Sequence, residues 1–177
     1  MATVNPLPVE KAASQLRPVY EDLTKKIGKM PNIFAAMAHR PSMLEKFLPL
    51  YQAIWQDGTV ENHYKELAYL KASMLNGCEY CSRAHMASGK GAGISEEQIR
   101  ALQFYERSSL FDEKEKATLL YAEQVTRAAS TIRESMLQAM RKFYDEGQIV
   151  ELTMLICMAN FTNRFNDATK VIPDLGV

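Results

Sequence analysis

The sequence predicts an all-α protein, a helical bundle. Apolar residues recur at helical spacing, as in Leu44, Phe47, Leu48, Tyr51, Ile54 and Trp55, and again in Leu152, Leu155, Ile156 and Ala159. No segment sustains the period-two alternation of a half-buried strand, and β-branched residues are scattered. Helix-start signals precede the apolar runs. Ser95-Glu96-Glu97-Gln98 and Thr131-Ile132-Arg133-Glu134 have the form of a capping box, and Asp112 stands where an N-cap belongs.

Taken in order, the chain opens with a proline-rich segment over about residues 1–17 that is expected to wrap the surface, with Pro6 and Pro8 in it. Pro18 suits a first helical position, Val19, Leu23 and Ile27 follow at four-residue spacing, and Gly28 ends the helix. Met30-Pro31-Asn32 breaks the chain, a short helix covers about Ile33 to His39, and Arg40-Pro41 breaks it again, leaving His39 at a helix end. A helix from Pro41 to about Gln56 carries a wide apolar stripe, and Asp57-Gly58 turns the chain. The next helix spans about Val60 to Leu75, with Leu67, Leu70 and Met74 on one face and His63 read as a surface residue among Glu61 and Asn62.

Asn76-Gly77 interrupts that helix, and a new one carries Cys78 to His85 and ends near Gly89. Gly89-Lys90-Gly91-Ala92-Gly93 reads as a flexible link; with no strand before it and no Gly-Lys-Ser/Thr in it, it is not a phosphate loop. Ser95 and Asp112 open further helices, the second turning Leu119, Leu120 and Val125 inward. The box at Thr131 leads into Met136, Leu137, Met140 and Phe143. A last long helix starts after Gly147 and buries Leu152, Leu155, Ile156 and Ala159, with Cys157 read as a packed core residue. The polar cluster Asn160, Asn163, Arg164, Asn166 and Asp167 reads as helix capping and interhelix hydrogen bonding.

With 177 residues the chain is long enough for one domain, 1–177, with a hydrophobic core of its own. Acidic and basic residues balance to a formal net charge of zero, and no basic block marks a nucleic-acid surface. No stretch is apolar enough to span a bilayer, so no membrane partner is expected. The start, Met1-Ala2-Thr3-Val4-Asn5-Pro6, lacks the basic-then-apolar pattern of a signal peptide, which points to the cytoplasm. There, three cysteines do not make a structural disulfide framework, and a close pair is catalytic or metal-binding.

That pair lies in Cys78-Glu79-Tyr80-Cys81-Ser82-Arg83-Ala84-His85, a C-x-x-C-x-x-x-H run. At about 100° per residue, Cys78 and Cys81 lie roughly 60° apart, with His85 roughly 20° from the first and 40° from the second, so all three share one helix face. The Asn76-Gly77 break sets Cys78 near a helix N-terminus, where exposed N–H groups favour a thiolate. A thiolate attacks peroxides and disulfides, and a second thiol three residues away captures a sulfenic acid before it over-oxidises. His85 is in range to move a proton, and Glu66, in a mostly apolar stretch of the preceding helix, is expected to be partly buried and held by a histidine. The same four side chains are acceptable zinc ligands, so a zinc-stabilised helical binding module is a second reading. A thiol–disulfide oxidoreductase is a third.

Glu66, eleven intervening residues and then the C-x-x-C-x-x-x-H run, with Lys65-Glu66-Leu67, Asn76-Gly77-Cys78 and Gly93-Ile94-Ser95 around them, resemble the alkylhydroperoxidase D-like (AhpD-like) family of the carboxymuconolactone decarboxylase superfamily. The specific part covers roughly residues 60 to 105, and the flanking helices resemble the peroxidase-related branch. The resemblance implies an AhpD-like helical bundle, a homo-oligomer, and a peroxidase that takes a hydroperoxide substrate, is restored by an external dithiol reductant and uses no bound cofactor. It assigns peroxide attack to Cys81, resolution to Cys78 and the proton relay to His85 and Glu66. The founding members place a histidine immediately before the second cysteine. Here Tyr80 stands at that position, leaves the relay one imidazole short, and is counted among the site residues. The decarboxylase branch lacks the cysteine pair, which counts against lactone decarboxylation.

Overall fold

Capping chemistry decides most helix boundaries in this chain. The computed structural model describes residues 2–56 and 58–175, and no strand occurs among them. The helices are α1 (Arg17–Ile27), α2 (Asn32–Met37), α3 (Pro41–Gln56), α4 (Asn62–Asn76), α5 (Glu79–Gly91), α6 (Glu96–Ala101), α7 (Glu113–Ala128), α8 (Glu134–Met140) and α9 (Glu146–Thr169). Short 3-10 segments cover Ser14–Leu16, Leu102–Arg107 and Ala129–Thr131. The all-α expectation holds, and α3 ends at Gln56 as expected; Asp57, read with Gly58 as a turn, lies outside the described residues.

Gly28 and Gly77 close α1 and α4 in left-handed conformations, at φ +85° and +71°, which a residue bearing a Cβ adopts only with strain. Ser95 with Gln98, and Asp112 with Glu115, form reciprocal capping boxes. Three boundaries differ from the sequence reading. α9 begins one residue before Gly147, because Asp145 and Gln148 make a further box. Thr131 does not cap α8; its hydroxyl donates to the Ala128 carbonyl (2.9 Å) and closes the preceding 3-10 turn. The glycine run is no flexible link: α5 continues through Gly91, and Gly89 is buried where an added Cβ would meet Ile94 at 3.0 Å.

α4 forms the centre, packed against α5, α7 and α9. Every residue from Lys65 to Ser73 is buried. Its two sides serve two apolar clusters. Ala68, Tyr69 and Ala72 join Leu16, Leu44, Leu48, Leu152, Leu155 and Ile156 in the larger. Leu67 and Leu70 join Ile94, Leu102 and Leu119 in the smaller. At about 1.5–3 kcal/mol for each fully buried aliphatic side chain, these clusters hold α4 between its neighbours. The proline-rich start straps the surface as expected: Val4 N–H donates to Thr169 O (3.0 Å) and Leu7 N–H to Ala35 O (3.0 Å).

Three residues lie elsewhere than the sequence pattern suggested, and the first, Leu120, is exposed on α7 while Leu119 beside it is buried. Cys157 is exposed, because Leu155, Ile156 and Ala159 take the inward face of α9 and the residue between them turns outward with Met154 and Phe161. His63 is half-buried, its Nε2 at 2.7 Å from Glu115 Oε1 and its Nδ1 at 3.1 Å from Ala92 O. No described helix is long and apolar enough to cross a membrane.

Candidate active site

The turn at Gly77 folds the start of α5 back against the end of α4. Cys78 occupies the N-cap position of α5 and donates its N–H to Ser73 O (3.1 Å). Cys81 is the third residue of α5, so both sulfurs lie within its first turn. The two thiols are free, and each acts on the ionisation of the other. Both are sealed from solvent: Cys78 is 0% exposed and Cys81 is 3% exposed.

One turn on, His85 Nδ1 meets Glu66 Oε2 at 2.8 Å. Glu66 is 4% exposed, and the imidazole supplies the partner that a buried carboxylate requires. That contact leaves Nε2 as the nitrogen not engaged by Glu66. The ring packs against two aromatic side chains, Tyr69 at 3.8 Å and 28° and Trp55 at 5.4 Å and 11°, which also pack on each other at 5.4 Å. Trp55 is fixed from the rear of α3. The buried Lys65 Nζ donates to the carbonyls of Ile54 (3.1 Å) and Trp55 (3.0 Å) and pairs with Glu151 at 2.6 Å. Glu151 in turn accepts from the N–H groups of Thr59 (3.0 Å) and Val60 (3.3 Å).

The electrostatics separate the two sulfurs. Cys81 is lowered from the ordinary 9.0 to about 7: the hydrogen bond from Cys78 is the largest cause, hydrogen bonds from Asn163 and Asn166 follow, the His85 charge adds to them, and burial opposes. Cys78, as the donor of that pair, is pushed far above the ordinary thiol range by its bond to Cys81 and by burial. The helix N-terminus acts on both thiols, and the hydrogen bonds single out Cys81. Helix position alone, which favours Cys78, ranks them in the opposite order.

Tyr80 is buried, and its hydroxyl donates to Asp174 Oδ1 (2.7 Å) while accepting from the Ile33 N–H (3.4 Å). The hydroxyl therefore ties the C-terminal segment to the start of α2. Asp174 completes this clamp by accepting from the Asn32 N–H and pairing with Lys29 (3.7 Å). Sequence reasoning placed Asn163 and Asn166 in a capping cluster, yet both lie on the buried face of α9 against Cys81. The signal was present in their register, since they continue the Leu152, Leu155, Ile156, Ala159 stripe. Trp55, read as part of an apolar stripe, packs with Tyr69 against the imidazole. Among the described residues no group of three or more His, Cys, Asp or Glu side chains is arranged to hold a metal ion, so the donor set does not fit the zinc reading.

Residues 41–124 match the carboxymuconolactone decarboxylase family. YdfG of Bacillus subtilis (strain 168) is 27% identical over 114 residues, covering 64% of this chain and 78% of that protein. A peroxidase-related protein from Ralstonia eutropha JMP134, described as an alkylhydroperoxidase AhpD core, superposes with a TM-score of 0.85 at 21% identity, over 97% of this chain and 93% of that one. A cysteine-to-alanine variant of the debrominase Bmp8, in complex with 2,3,4-tribromopyrrole, superposes with a TM-score of 0.83 at 21% identity, over 98% of this chain and 92% of that one. The two structural likenesses establish the fold.

Proposed function

For a chain whose residues 41–124 match the carboxymuconolactone decarboxylase family and whose fold is AhpD-like, we propose a thiol-dependent peroxidase activity. One observation carries the reading: two free thiols share the first turn of a helix whose next turn presents a carboxylate-paired histidine. The Cys81 thiolate attacks the distal oxygen of a hydroperoxide. An S–O bond forms, the O–O bond breaks, and the leaving alkoxide takes a proton from His85 to become the alcohol. Cys78 then attacks the Cys81 sulfenic sulfur. An S–S bond forms, the S–O bond breaks, and the departing hydroxide leaves as water with the Cys78 proton. The peroxide is reduced by two electrons and the dithiol is oxidised to a disulfide, which an external dithiol reduces again.

Glu66 orients the imidazole through its contact with Nδ1. Burial of both sulfurs disfavours a protein disulfide as substrate and supports small ones, which sets a general thiol–disulfide oxidoreductase behind the peroxidase. It also favours a small diffusible dithiol as reductant. The family resemblance adds a homo-oligomeric assembly. The test is dithiol-dependent consumption of cumene hydroperoxide by the purified protein. Turnover that Cys81→Ser abolishes supports the reading; turnover that survives Cys81→Ser, or its absence from the wild type, overturns it.

A further inference from the structure

Asn166 is 2% exposed, on the inward face of α9. Its Nδ2 donates to Cys81 Sγ at 3.3 Å. Its Oδ1 is buried and has no hydrogen-bond partner among the described residues. A buried amide acceptor left without a donor costs on the order of 1–3 kcal/mol. The neighbouring carboxamide shows the contrast. Asn163 accepts from Asn76 Nδ2 at its oxygen (2.8 Å) and donates to Ser73 Oγ (3.1 Å). Asn163, which also acts on Cys81, is thus tied into the scaffold at both ends, while the Asn166 side chain is bonded only to the reactive sulfur and keeps an open acceptor beside it.

That acceptor calls for a group with a hydrogen to give, placed next to Sγ. The thiolate has none. A hydroperoxide has one on its distal oxygen, the atom the thiolate attacks, and after the O–O bond breaks the same oxygen and hydrogen sit on Cys81 as the sulfenic S–O–H. We propose that Asn166 is a two-ended clamp on the reacting atoms, with Nδ2 holding the Cys81 thiolate and Oδ1 accepting from the O–H of the hydroperoxide and then of the sulfenic acid. The thiolate end stands on the observed contact, and the acceptor end rests on the peroxidase reading above. Substrates of the form R–O–O–H are the class this clamp recognises.

Cys81 is faced by Cys78, Tyr80 and His85 on its own helix, by Tyr51 on α3 and by Tyr69 on α4; Glu66 acts behind His85, and Asp167 of α9 acts on Cys78. The hydrogen bond from Asn166 is among the causes that hold the Cys81 thiol down. Asn166→Leu, close in shape and without either polar end, removes the clamp. Asn166→Ser, too short to reach, serves if the leucine variant does not fold.

The first readout needs no peroxide: titration of thiolate ultraviolet absorbance in the full-length protein carrying Cys157→Ser. The expected result is a midpoint for Cys81 about one unit higher in the variant, and an unchanged midpoint overturns the thiolate end. The second uses Cys78→Ser, which lets the sulfenic acid persist, with denaturation into dimedone, so that the reagent reaches the sulfur, and mass spectrometry after one equivalent of cumene hydroperoxide. The clamp predicts that Asn166→Leu lowers the trapped sulfenic fraction severalfold and raises sulfinic acid. Equal trapping with and without Asn166 overturns the acceptor end. If the Asn166-containing protein forms no sulfenic acid at all, the peroxidase reading and the acceptor end fall together, while a shifted midpoint still upholds the thiolate end.

Discussion

Replacing Cys78 by alanine, in a chain whose exposed Cys157 is already serine, isolates what lowers the Cys81 thiol. That thiol lies at about 7 where 9.0 is ordinary. At about 1.36 kcal/mol per unit the difference corresponds to roughly 3 kcal/mol in favour of the thiolate. Its largest cause is the hydrogen bond from Cys78. A hydrogen bond to a charged acceptor contributes about 1.5–3 kcal/mol, so losing this one raises the midpoint by roughly one to two units. Cys78→Ala then ionises between about 8 and 9, and its thiolate fraction near pH 7 falls from about half to about a tenth or less. Thiolate absorbance followed against pH reads this directly and needs no reagent to reach a sealed sulfur. A midpoint within a few tenths of the parent's would refute the assignment of the shift to Cys78.

The same depression has a stability consequence with a fixed sign. Between about pH 7 and 9 the unfolded chain holds more protons at Cys81 than the folded one, so folding stability rises with pH across that window and the contribution is lost as pH falls through 7. Urea unfolding of Cys81→Ser lacks this slope.

Glu66→Gln keeps the packing but removes the negative charge beside His85; hydroperoxide turnover is expected to fall by about ten- to a hundredfold, with its pH profile displaced, and an unchanged profile would take Glu66 out of the relay. Lys65→Ala strands the buried Glu151 and frees the end of α3, at a cost of about 3–5 kcal/mol read from the urea midpoint; a loss under 1 kcal/mol, on the order of an exposed pair, would show that the ion pair does not anchor Trp55. Tyr80→Phe loses its bonds to Asp174 and to the Ile33 N–H, about 1–3 kcal/mol of stability, and hydroperoxide turnover stays within twofold; a larger loss of rate would place the hydroxyl in the proton path.

Much of this architecture was legible before any coordinates. The stripe and proline break predict α3 as Pro41–Gln56, the bounds it has, because both local chemistry and burial point the same way. The sharing of one face by Cys78, Cys81 and His85 follows from helix geometry, and the Glu66 contact from the need of a buried carboxylate for a partner. What escaped depends on contacts distant in sequence. Asn163 and Asn166 look like capping residues until α9 is laid against α5, and only the packing reveals that the Asn166 amide meets a sulfur. The stacking of Trp55 on His85 joins residues 30 positions apart in the numbering, and nothing local to either announces it. Cys157 sits in an apolar run that reads as core, yet a single step of about 100° past Ile156 carries it to the outside. At Asp145 the glycine two residues on drew the helix start to itself, although the Asp-x-x-Gln spacing for a box was there.

The most direct test of the central claim is titration of the fully reduced protein with hydroperoxide, counting thiols and locating the oxidised sulfurs by mass spectrometry. One equivalent of peroxide should consume two thiols and leave a Cys78–Cys81 disulfide, with Cys157 still reduced. Retention of both thiols, or oxidation that begins at Cys157, would contradict it.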